Sequence, residues 1–87
     1  MFINKNSDGK NNLCGENVAY YRKKMGLSQR ELADRLQLVG LDVDKNAIQR
    51  IEAGKRFVTD IEIVMLAEVL DVSIPRLVGS RESTITE

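Results

Sequence analysis

Apolar residues recur along this chain at helical spacing rather than in alternation. Val18, Tyr21, Arg22 and Met25 stand at i, i+3, i+4 and i+7, one face of a first helix that begins near Cys14. Gly26 is placed to end it in the left-handed conformation. Ser28-Gln29-Arg30-Glu31 is a capping box, in which Ser and Glu each satisfy a free N–H at a helix start. Leu32, Ala33, Leu36 and Val39 continue one apolar face, and Gly40 offers a second C-cap. Leu41-Asp42-Val43-Asp44 alternates and reads as an extended connector, with Asp44 as the next N-cap. A third helix is predicted from about Lys45 to Glu52, with Ile48, Ile51 and Glu52 on its inner face and Gly54 as its stop. Thr59-Asp60-Ile61-Glu62 is a second capping box, followed by the stripe Ile63, Leu66, Ala67, Leu70. Ser73 caps a short last helix. Pro75 is tolerated there because a first-turn N–H has no intrahelical partner. The pattern predicts an all-α, compact five-helix bundle over residues 13–79. A loose, polar arm (1–12) precedes it and a frayed, polar tail (80–87) follows.

Composition narrows the class. With 87 residues and 43% apolar content the chain fits one domain with one modest core. No apolar run is long enough for a membrane span, and the N-terminus has no secretory pattern. Histidine is absent, which removes Ser-His-Asp and Cys-His catalysis. Cys14, the one cysteine, can form neither an internal disulfide nor a zinc finger and reads as a small packing residue. No glycine stands five residues before Gly54-Lys55, so a Walker-type phosphate loop is not completed. The expectation is a cytoplasmic, non-catalytic module without cofactor or metal.

The formal net charge is zero, but it is unevenly spread. Up to Val58 eleven bases face seven acids, a balance of +4; from Thr59 onward two bases face six acids, −4. A basic half can face phosphates while an acidic half faces away.

The third helix carries the candidate chemistry. Lys45, Asn46, Gln49 and Arg50 fall at i, i+1, i+4 and i+5 and cluster on its outer face. Arg and Lys suit guanine edges; Asn and Gln suit adenine. The plain alternative is an ordinary solvated face. Around this helix stand Gln29, at a helix start whose free N–H groups suit a phosphate, and the pair Lys55-Arg56 just beyond its end. Two further charges occupy apolar positions: Arg22 on the first helix and Glu52 on the third. A lone buried charge is very costly, so the expectation is that they meet as an ion pair. The alternative is that Arg22 snorkels to solvent and Glu52 merely ends its helix.

Residues 16–79 resemble the helix-turn-helix family of phage lambda repressor and Cro, the XRE family. The resemblance rests on Arg22-Lys23-Lys24-Met25-Gly26-Leu27-Ser28-Gln29-Arg30-Glu31-Leu32-Ala33, on Ile48-Gln49-Arg50-Ile51-Glu52-Ala53-Gly54-Lys55-Arg56, and on Leu66-Ala67-Glu68-Val69-Leu70-Asp71-Val72-Ser73. It implies a domain whose third helix enters the major groove of double-stranded DNA. It implies bases read at Lys45, Asn46 and Arg50, a phosphate contact at Gln29, and Lys55 and Arg56 beside the backbone. An arginine–glutamate pair is also implied at Arg22 and Glu52. One departure is the stretch Leu36 to Asp44, longer than the tight turn usual in the family. The expected function is a transcription regulator, a repressor, acting as a homodimer. Ile74, Leu77 and Val78 either form the dimer surface or close the monomer core. The competing reading is an antitoxin or protein-interaction module on the same fold. Neither a membrane nor a small-molecule ligand is expected as a partner.

Overall fold

In a computed structural model, residues 9–79 are described. They form five helices: α1 (Gly15–Lys24), α2 (Gln29–Leu38), α3 (Lys45–Glu52), α4 (Asp60–Leu70) and α5 (Ile74–Val78). The expected tail and most of the expected arm lie outside the described residues. Residues 11 and 12, read from sequence as part of that arm, are hydrogen-bonded against the end of α3 and the loop beyond it.

Local chemistry sets most of the boundaries. Ser28 and Thr59 each form a complete capping box with the glutamate three residues on. Asp44 and Ser73 cap α3 and α5 through their side-chain oxygens. α1 differs: Cys14 makes no side-chain cap, and the Gly15 N–H donates instead to Asn12 Oδ1 at 2.8 Å. At the other end of α1 the chain closes as a Schellman turn. The Leu27 N–H bonds the Arg22 carbonyl and the Gly26 N–H that of Lys23, with Gly26 at φ +75°.

The core draws on every helix. Val18 and Tyr21 from α1, Leu32, Ala33 and Leu36 from α2, and Ile48 and Ile51 from α3 are buried. They pack with Leu66, Ala67 and Leu70 of α4 and Leu77 of α5. Each fully buried leucine here is worth about 2–5 kcal/mol against truncation to alanine. Cys14 is among the most deeply buried side chains, as expected for a packing residue. Two positions of the apolar stripes are exposed. Met25 and Val39 are each about two-fifths exposed, at 40% and 44%. Both follow the last residue of their helix, and Leu27 and Val43, beyond the turns, enter the core instead.

Between α2 and α3 the chain takes six residues, 39–44. α2 closes at Gly40, where the Leu41 N–H returns to the Leu36 carbonyl, and residues 41–44 run without regular structure. Buried Val43 anchors this connector, and Gln37 Nε2 donates to its carbonyl at 2.7 Å. The longer link is therefore a braced one, and it delivers α3 onto α2 and α1. Among the described residues no helix is long and apolar enough to cross a membrane. No group of metal-ligating side chains gathers among them either.

Candidate nucleic-acid interface

α3 is strongly two-sided. Ile48 and Ile51 face inward at 0% and 1% exposure, while Lys45, Asn46, Gln49 and Arg50 are exposed. Asn46, Gln49, Arg50, Ala53 and Lys55 line one open depression. The first four stand at i, i+3, i+4 and i+7, a polar stripe opposite the buried one. Ala53, the small member that opens the depression, is missing from the sequence-derived set, although that same spacing marks it. Lys45 lies outside this lining, at the N-terminal end of the helix.

What holds α3 is a charged cluster under its C-terminal end. Arg22 of α1 meets Glu52 of α3 through two bonds, Nε to Oε2 at 2.6 Å and Nη2 to Oε1 at 3.1 Å. Arg22 Nη1 also donates to the Leu27 carbonyl at 2.8 Å. The two side chains are 10% and 8% exposed, so the pair is shielded from water. A guanidinium fork on a carboxylate is the strong, directional form of this interaction. Gln29 joins it, with Nε2 donating to Glu52 Oε1 at 2.9 Å. The half-buried Gln29 side chain is thus committed in part to the domain itself. What it can still give a phosphate is its second amide hydrogen and the open start of α2.

Lys55 and Arg56, paired in the sequence expectation, are separated by the fold. Lys55 is exposed and lines the depression. Arg56 turns away and forms a fork with Glu62 at 3.1 and 3.0 Å, and it also donates to the Phe57 carbonyl. Its charge is compensated within the domain, on a side chain that keeps 29% of its surface exposed. Partial burial pushes the Glu62 carboxyl up, but the Arg56 guanidinium and the Thr59 N–H outweigh it and hold it below the ordinary carboxylate value. Among the described residues Lys45, Arg50 and Lys55 have no ion-pair partner, so the interface is basic. A convex helix with planar amide and guanidinium ends, flanked by a lysine, matches what base edges and the adjoining backbone offer.

Comparison with known proteins agrees with this geometry. The helix-turn-helix family model matches residues 18–77. Among solved structures, the restriction-modification controller protein C.AhdI from Aeromonas hydrophila is 30% identical, with a TM-score of 0.63. The match covers 72% of this chain and 84% of that one. SinR, solved in complex with SinI, is similar at 29% identity and a TM-score of 0.66, covering 83% of this chain and 66% of that one. A hypothetical transcription factor, NHTF from Neisseria, shares the fold at 20% identity and a TM-score of 0.74, over 85% of this chain and 79% of that one. No curated protein sequence matches the chain.

Proposed function

The chain belongs to the helix-turn-helix family of DNA-binding transcription regulators, and on that premise we propose that it reads a specific double-stranded operator with α3 in the major groove. The observation that carries the reading is the exposed stripe Asn46, Gln49, Arg50 on a helix whose opposite face is fully buried. Asn46 and Gln49 are suited to adenine and Arg50 to guanine. Lys45 serves the entry end of the helix, and Lys55 steadies the adjoining phosphates. Gln29 and the start of α2 take a phosphate on the other flank. The protein acts by occupying DNA, as a repressor, and not as an enzyme. Two copies bind together, because one short helix reads few base pairs.

Selection from a random duplex library tests this. Wild type should yield a defined site made of two inverted halves about one helical turn apart. Arg50→Ala should relax one base position at a cost of about 1–3 kcal/mol. Lys55→Ala should weaken every sequence alike and reduce the salt slope by about one unit. Identical consensus sites for wild type and Arg50→Ala would remove base reading from α3, and a single half-site would remove the dimer.

SinR was solved in complex with another protein, and that favours a second reading, in which this domain also docks on a protein partner. α4 presents Ile61 and Val64 to solvent one turn apart, at 65% and 50% exposure. Leu77, in contrast, is buried in the core, so of the three expected dimer residues only Ile74 remains largely exposed. Loss of self-association in Ile61→Asp with unchanged folding would assign that α4 face to the second copy. Unchanged self-association would leave it to a different partner.

A further inference from the structure

The end of α3 is held by a segment that precedes α1. Carbonyls at a helix C-terminus have no partner within the helix, and those of the loop beyond it need donors from elsewhere. Here two consecutive asparagines supply donors to the loop carbonyls and add a second bond to the Ile51 carbonyl, which already accepts the Gly54 N–H at 3.0 Å. Asn12 Nδ2 donates to the Ile51 carbonyl at 3.1 Å and to the Arg56 carbonyl at 2.8 Å. The Asn11 N–H donates to the Gly54 carbonyl at 2.9 Å, and Asn11 Nδ2 to that of Lys55 at 3.3 Å. Asn12 Oδ1 meanwhile accepts the Gly15 N–H at 2.8 Å. A single amide therefore ties the start of α1, the last turn of α3 and the loop that carries Lys55. The task needs two donor hydrogens and one acceptor on a short stem, which only asparagine combines.

The surrounding backbone is built for this closeness. A Cβ at Gly15 would collide with the Ile51 carbonyl oxygen, so α1 and α3 touch through main chain. Gly54 lies under the Lys10 stem, where a Cβ would come within 2.8 Å of Lys10 Cδ. The two carbonyls that Asn12 holds belong to the residues next to Arg50 and Lys55. We propose that Asn12 is a positioning residue for DNA recognition, fixing where Arg50 and Lys55 stand relative to each other. This rests on the reading of α3 given above. Arg22 and Glu52 hold the helix through side chains from one flank; Asn12 holds its backbone at the exit.

Two variants separate positioning from mere capping. Asn12→Ser keeps an oxygen for the Gly15 N–H but is too short for either carbonyl. Asn12→Asp keeps the oxygen but has no hydrogen to donate. Dissociation constants are measured on the selected duplex and on a scrambled one, below the unfolding temperature of each variant. The ratio of the two constants is the readout, because a uniform change in charge cancels from it. In folded variants the ratio should fall roughly tenfold, about the worth of one good base contact. Asn46→Ala and Arg50→Ala run alongside. If these two lose preference while both Asn12 variants keep the wild-type ratio, the positioning role is overturned and the reading of α3 stands. If wild type itself prefers no sequence, the reading of α3 falls and this inference with it. If neither Asn12 variant folds, Asn12 is a folding residue and the proposal is equally overturned.

Discussion

At the scale of single residues, the informative positions are those that break the pattern around them. Arg22 and Glu52 sit on apolar faces, and that violation, together with the family resemblance, raises the expectation of a pair before any contact is seen. The structure adds what spacing cannot carry: Gln29 and the Leu27 carbonyl complete the cluster. Removing one partner leaves the other charge shielded and uncompensated, so Arg22→Ala or Glu52→Ala should each lose about 3–5 kcal/mol in chemical denaturation. Replacing both, as Arg22→Met with Glu52→Leu, should lose much less than the sum. A cycle without coupling would contradict the shielded geometry. Asn12 shows the opposite case. It is a polar residue in a polar stretch, without periodicity, and its partners lie 39 and 44 positions away. Nothing in its neighbourhood distinguishes it from Asn11 or Asn6, so only the fold gives it a role.

At the scale of elements, the sequence shows where helices start because caps are local events. Ser28, Asp44, Thr59 and Ser73 all cap the helices they precede, each through bonds spanning only three residues. Direction between elements is not local, and there the sequence reading of Arg56 missed its internal partner. Its guanidinium finds Glu62 only because the loop after α3 brings α4 beneath it. The Glu62 carboxyl is held below its ordinary value, which gives α4 a pH dependence of definite sign. A group whose folded pKa is lowered stabilises the fold fully above its unfolded pKa and loses that effect as pH falls through the folded one. Glu62→Gln should therefore be less stable than wild type at neutral pH. The gap should close as pH drops below the ordinary carboxylate range, as read from denaturation midpoints across pH. A gap that is constant with pH would mean that the charge of Glu62 does not matter and only its shape does.

At the scale of the whole molecule, the zero net charge conceals a sorted surface. Arg22 and Arg56 are cancelled by internal partners, whereas Lys45, Arg50 and Lys55 are left on the face that α3 presents. Such an arrangement keeps uncompensated positive charge on that face, where a polyanion would meet it. The deeply buried Cys14 gives this same molecule an internal clock. Burial, with a smaller push from the negative charge of Glu62, raises its thiol to about 11. Only the thiolate is nucleophilic, so in the closed domain the sulfur is both unreachable and in the wrong protonation state. Alkylation then has to wait for the α1 end of the core to open, and its rate counts openings rather than collisions. A ligand that binds only the closed form lowers that count by mass action. Iodoacetamide labelling followed by mass spectrometry should be far slower than for a free cysteine. Saturating operator duplex should slow it again, and scrambled duplex should do so much less. Labelling at the free-thiol rate, indifferent to DNA, would show that the core breathes too readily for its burial to govern the sulfur. In the slow case, an unmodified protein reports through one sulfur atom how tightly its DNA holds it shut.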